Sequence, residues 1–245
     1  MRNLNNIFKE KSEELGFDLY MNSIFIGYTG SVAYELYKDG DKSDKDVIAV
    51  VVPPIDYYFG LKTFPHHGTI QVQQNDWDVI FYDIKKFVSL LVKNNPSVLS
   101  LLWTPQKHII KSNLYWNRLA ESKELFKSYE LVKCILGFTN GHVKLIEDKG
   151  TENKYDFKDA MQLIRWLYMG IDYLEIGELE VEAKKKDLLL QIKRGQISKT
   201  KVLVLAYNLT QQLCGMRGYD IQEKPDATKI NNVLVSLLKD YYKEN

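Results

Sequence analysis

The sequence predicts an α+β protein, a mixed sheet-and-helix front followed by an α-helical back. Three observations carry this reading. Short apolar or alternating runs of strand length occur at Ser23 to Tyr28, Asp46 to Val52, Thr69 to Gln74 and Asp76 to Tyr82. Beyond Tyr115 no run alternates over the length of a strand, whereas apolar residues recur at helical spacing. The 245 residues, 45% hydrophobic and 27% charged, suffice to bury a sizeable core in one large domain or two small ones. The change of pattern falls between residues 112 and 130, which predicts domains at 1–120 and 121–245.

In chain order, Leu4 to Leu15 reads as an amphipathic helix, with Leu4, Ile7, Phe8 and Leu15 near helical spacing and Gly16 as its stop. Ser23 to Tyr28 is the first strand, and Val32 to Tyr37 reads as a helix after the Gly30-Ser31 turn. Asp46 to Val52 is the second strand, ended by Pro53-Pro54. A long connection containing Tyr57, Tyr58, His66, His67 and Gly68 follows, and loops of that length often carry function. The adjacent histidines make a poor metal site, because neighbouring side chains seldom converge on one ion. After the strands at 69–74 and 76–82, Asp83 caps a helix through Lys85 to Val92, which Asn94-Asn95-Pro96 breaks. A helix from Ser97 to Trp103 and a short strand over Lys107 to Lys111 complete the front. In the back, Phe157 to Leu174 carries an apolar stripe of Ala160, Leu163, Ile164, Leu167, Ile171 and Leu174. Helices over Asp187 to Arg194, Ser198 to Arg217 and Ala227 to Tyr242 follow.

Composition excludes several functions. A formal net charge of +1 provides no global field for long nucleic acid, so any polynucleotide contact needs a local patch. The cluster Lys184 to Lys186, Lys193, Arg194, Lys199 and Lys201 is such a patch, or else a solvated surface. Cys134 and Cys214 lack metal-ligand spacing and read as buried, reduced thiols. No stretch approaches the ~18 uninterrupted apolar residues of a membrane span, and the polar N-terminus does not read as a signal peptide, so no membrane role and a cytoplasmic location are expected.

The chemistry concentrates in Gly27 to Tyr34 and Ser43 to Ile48. On an extended segment Asp44 and Asp46 leave the same face. Two carboxylates about 5 Å apart repel by roughly 3 kcal/mol at an effective dielectric near 20, so both stay ionised only with cations between them. Oxygen ligands on a rigid strand suit Mg²⁺, with Mn²⁺ as the alternative, and Mg²⁺ commonly takes further ligands from substrate phosphates. Gly30 permits close backbone approach to a phosphate, Ser31 offers a hydroxyl, and a helix beginning at Val32 would favour an anion at its N-terminus. The third ligand is best supplied by Asp78, an acid within an otherwise apolar strand, with Asp76 as its nearest rival. Lys158, Gln162 and Arg165 follow i, i+4, i+7 on a face separate from their helix's apolar stripe, either to grip phosphates or as a solvated face.

Gly30-Ser31, Asp44-x-Asp46 and Asp78 on a later strand together resemble the DNA polymerase beta-type nucleotidyltransferase superfamily. More closely, the chain is similar to the RNA repair pathway DNA polymerase beta family, through GSVAYEL…SDKDVIAVVVPP, DVIFYDIKKFVSLLVKNNPSVLSLLW, KDAMQLIRWLYMGIDYLEIGELEV, IKRGQIS and EKPDATKINNVLVSLLKDYY. The resemblance implies a polymerase beta-like nucleotidyltransferase domain, then a helical domain closing the nucleotide cleft. It implies metal ligation by Asp44, Asp46 and Asp78, nucleotide binding by Gly30, Ser31, Lys158, Gln162 and Arg165, and Mg²⁺ or Mn²⁺ as cofactor. The implied reaction moves a nucleoside monophosphate from a triphosphate such as ATP to a hydroxyl on RNA, DNA, a protein or a small molecule. A nucleotide-binding or antitoxin-like module with little turnover is the alternative. Two departures stand out: Lys45 replaces the usual apolar residue between the aspartates, and Gln162 stands where relatives often carry His.

Overall fold

The computed structural model describes residues 2–37, 44–218 and 221–244; Ser43, at the head of the second motif, lies outside them. The chain packs as two units, one formed by residues 1–92, 104–126 and 226–245, the other by residues 93–103 and 127–225. A single cut near residue 120 does not describe this, because the last helix packs in the first unit and a short segment before Thr104 packs in the second.

The first unit begins with α1 (Arg2–Leu15) and β1 (Ser23–Tyr28), joined by a compact turn in which the buried Ser23 hydroxyl donates to the Leu19 carbonyl at 2.6 Å. A single helical turn, α2 (Gly30–Ala33), then precedes β2 (Lys45–Val51). The helix expected over Val32 to Tyr37 is therefore only this turn. Glu35 takes a left-handed backbone at φ 54° and the Leu36 amide closes onto the Ser31 carbonyl at 2.9 Å, which buries Tyr34 and Leu36 in a non-helical path. So short a turn carries no helix dipole to draw an anion.

Two short turns, α3 (Asp56–Phe59) and α4 (Pro65–Gly68), occupy the connection to β3 (Thr69–Gln74) and β4 (Trp77–Asp83). A tight hairpin joins β3 to β4 through Asn75, whose φ of 55° suits the left-handed turns that match strand twist. The sheet is completed by β5 (Ile109–Ser112) in the order β3-β4-β2-β1-β5, with β2 and β4 parallel and the other pairs antiparallel. Strand alternation decides the layers. One sheet face packs Val47, Ala49, Val51, Val79 and Phe81 against Leu4, Ile7 and Phe8 of α1.

The other face is covered from α5 (Ile84–Val92), and, after the short α6 (Pro96–Leu99) of the second unit, from α7 (Leu114–Glu121): Phe25 stacks on Trp116 at 3.9 Å, and Phe87 closes the cluster. Truncating such a fully buried ring costs about 3–5 kcal/mol, so this layer anchors the sheet face from which Asp46 and Asp78 also project.

The second unit contains α8 (Glu130–Asp148), α9 (Phe157–Ile176), α10 (Lys186–Lys193) and α11 (Lys199–Gly215). Because α8, α10 and α11 all pack on α9, that helix is buried around nearly its whole circumference from Ala160 to Leu174. The Asp156 side chain caps it by accepting the Asp159 amide at 2.9 Å. Neither thiol is buried: Cys134 is half-buried on α8, and Cys214 is exposed beside Leu213, one step off the stripe Val202, Ala206, Leu209, Leu213. The final helix, α12 (Ala227–Glu244), lies in the first unit, where Tyr241 meets Tyr115 edge-on at 5.1 Å and Asp240 pairs with Arg118 at 2.8 Å. No helix among the described residues is long and apolar enough to cross a membrane.

Candidate active site

Parallel pairing of β2 and β4 places Asp46 opposite Asp78, residue for residue. In such a pair the two Cα atoms stand about 4.8 Å apart and the side chains leave the same face. Like charges opposite each other weaken a sheet, so the pairing is not explained by the fold's own stability. Asp44 precedes β2 by one residue and is exposed.

The Gly30 turn sits directly on Asp46. Thr29 donates its amide to the Asp46 carbonyl at 2.9 Å, and Gly30 follows with φ 60°. A Cβ on Gly30 would fall 1.7 Å from Asp46 Oδ2, so only glycine fits against the carboxylate as placed. Gly30 and Ser31 are thus brought beside Asp46.

Asp78 is half-buried and accepts two amides from β3: Gln71 Nε2 at 2.8 and 3.0 Å, and Gln73 Nε2 at 3.1 Å. These glutamines were not singled out from sequence. A two-residue turn at 75–76 sets Gln74 opposite Trp77 and hence Gln73 opposite Asp78, so hairpin counting alone finds Gln73, with Gln71 two residues away on the same face and opposite Ile80. Both glutamine bonds hold the Asp78 carboxylate toward β3.

Asp76 takes a different partner from Asp78. It lies in the hairpin turn, where its carboxylate meets Lys45 Nζ at 2.9 Å, and this bond holds its pKa below the usual carboxylate value. Lys45 also lies 4.9 Å over the Trp77 ring. The departure at Lys45 is thereby explained: its ammonium lies over the Trp77 ring and binds Asp76.

On the second unit, Lys158, Gln162 and Arg165 do not form a uniformly solvated ridge. Lys158 is exposed and Gln162 half-buried, but Arg165 is only 5% exposed and donates Nε to Gln162 Oε1 at 3.3 Å. Helices packed on every side of α9 bury a position that its polarity alone assigned to the outside.

The basic cluster is partly neutralised within the same unit. Lys184 pairs with Asp172 at 3.6 Å and Glu180 at 3.2 Å, and Lys186 pairs with Glu182 at 4.0 Å.

A five-stranded mixed sheet carrying in-register aspartates under a Gly-Ser turn has the arrangement expected of a polymerase beta-type nucleotidyltransferase domain. The chain belongs to the RNA repair pathway DNA polymerase beta family, whose model matches residues 2–236. A comparison with curated proteins found no match.

Proposed function

We propose that the protein transfers a nucleoside monophosphate from a nucleoside triphosphate to a hydroxyl acceptor and releases pyrophosphate. The observation that carries this reading is the Asp46–Asp78 pair with Gly30 seated on the Asp46 carboxylate. An oxygen-only donor set from Asp44, Asp46 and Asp78 suits Mg²⁺ or Mn²⁺, and rotation of Asp78 away from Gln71 and Gln73 would close it. When bound, such a cation supplies charge neutralisation to the triphosphate and lowers the pKa of the acceptor hydroxyl.

The chain's own groups do the rest. Gly30 lets the backbone approach the phosphates, and the Ser31 hydroxyl donates to a phosphate oxygen. Asp78 accepts the acceptor's proton as the oxygen–phosphorus bond forms at the α-phosphorus and the bond to the bridging oxygen of pyrophosphate breaks. On the second unit, Lys158, Gln162 and Arg165 are proposed as nucleotide-binding residues, Lys158 as a point charge and the buried Arg165 by orienting Gln162 through its Nε. Positioning and charge stabilisation account for most of the expected acceleration.

The test is incubation with α-labelled triphosphates, Mg²⁺ or Mn²⁺, and separate pools of RNA, DNA, protein and small molecules. Metal-dependent transfer of label to one pool is expected, and that pool identifies the acceptor class. Nucleotide and metal binding without transfer to any pool would favour the alternative, a nucleotide-binding or antitoxin-like module.

A further inference from the structure

The loop between β2 and β3 walls a cavity of about 850 Å³, away from the paired aspartates. Its floor is Asp83, five residues beyond Asp78 on β4, which puts it roughly 16 Å along the strand at 3.3 Å per residue. The walls are fixed by contacts unrelated to any ligand. Tyr57 packs on Phe17 at 5.3 Å and donates its hydroxyl to the Leu15 carbonyl at 3.0 Å, and Tyr58 donates to Asp83. Phe64 is anchored in the core. Gly68, with φ 91°, brings the loop against α5, where a Cβ would fall 2.7 Å from Lys86 Cβ.

Charge in this cavity is one-sided. His66 and His67 both take left-handed backbone, at φ 44° and 56°, and both are exposed while lining the cavity. Two consecutive non-glycine residues held in that region mark a conformation imposed by the surrounding structure, of the kind found at ligand sites. Lys85 and Lys86 line the same cavity from α5, and Lys85 Nζ stands 3.8 Å over the Tyr58 ring. The one acid, Asp83, is occupied: it accepts the Tyr58 hydroxyl and the Lys85 and Lys86 amides, while burial pushes its carboxyl above the usual value. Asp83 thus takes the first amides of α5, leaving anion recognition to the lysine and histidine side chains.

We propose that this cavity is a binding site for a phosphorylated organic anion of about mononucleotide size, with Lys85, Lys86, His66 and His67 holding the phosphate and Tyr57 and Tyr58 flanking the organic part. Two lysines suit a phosphate through charge-assisted hydrogen bonds, and two imidazole rings add N–H donors. The aromatic walls and the volume exceed what inorganic phosphate needs and match a small-molecule pocket. The site is separate from the aspartate pair and independent of the transfer reaction proposed above.

The chain has four histidines, so their ring Hε1 resonances form a simple NMR spectrum, assignable through His66→Gln and His67→Gln. The protein is titrated with adenosine 5′-monophosphate, and separately with inorganic phosphate, in EDTA at constant ionic strength. The His66 and His67 resonances are expected to shift saturably while those of His108 and His142 stay in place. Adenosine monophosphate should saturate at a concentration about tenfold lower than phosphate, as one well-packed aromatic contact provides. Replacing Lys85 and Lys86 together with Gln should raise half-saturation by at least about tenfold. Unmoved His66 and His67 signals in the wild-type protein, or parallel drift of all four histidines, would overturn the site. Equal half-saturation by the two probes would overturn the organic ligand.

Discussion

Replacing Asp46 with Asn is expected to lower metal-dependent nucleotide transfer by about 10²–10³-fold or more, the usual scale for losing one electrostatic stabiliser of a transition state. The same substitution should leave the metal-free protein as heat-stable as the wild type, or more so. Asn fills the same volume, keeps the backbone carbonyl that accepts the Thr29 amide, and removes one of two like charges set opposite each other on β2 and β4. A structural acid would behave in the opposite way, because removing one partner of a needed pair leaves the other unsatisfied. Single-turnover transfer and thermal unfolding in EDTA, measured on one preparation, separate the two. Retained transfer would remove Asp46 from the chemistry, and a large loss of metal-free stability would make it a structural residue.

Gly30→Ala should affect both folding and function. Left-handed backbone costs a side chain about 1–2 kcal/mol relative to glycine, and the added methyl must displace Asp46 Oδ2, 1.7 Å from its position. Either the turn shifts off β2 or the carboxylate swings aside, and both misplace the group proposed to carry transfer. The expected outcome is a stability loss of about 1–2 kcal/mol by urea denaturation with a fall in transfer of about 10²-fold, the scale of a 1 Å misplacement. Gly30→Ala with wild-type transfer would show that the close approach of turn and carboxylate is incidental.

The sheet was legible from sequence because its strands alternate or run apolar between strong breakers, and because the buried and half-buried residues of β4 alternate without interruption from Trp77 to Asp83. The in-register placement of Asp46 opposite Asp78 was not legible: the spacing of Asp44 and Asp46 and the acid within the apolar run at Asp78 mark both residues, and only the pairing of β2 with β4 brings them together. What failed were features decided by tertiary partners. Val32 to Tyr37 has helical-looking composition, yet burial of Tyr34 and Leu36 imposes a left-handed step at Glu35. Arg165 is polar in sequence and buried in the protein, because periodicity does not tell how many neighbours surround a helix. The apolar positions of α12, Ile230, Leu237 and Tyr241, announce a buried face without saying which unit covers it. Asp76 and Asp78 differ by two residues, and only the hairpin turn that sends Asp76 to Lys45 separates them.

The aspartates on β2 and β4 are proposed to hold a divalent cation. Electron paramagnetic resonance of free Mn²⁺ measures this directly, by titrating nucleotide-free wild-type protein and Asp78→Asn with Mn²⁺. The account predicts stoichiometric loss of the free-Mn²⁺ signal with the wild type, and a Kd at least about tenfold weaker with Asp78→Asn, one carboxylate ligand being worth 1.4 kcal/mol or more. Indistinguishable Mn²⁺ binding by the two proteins would contradict it.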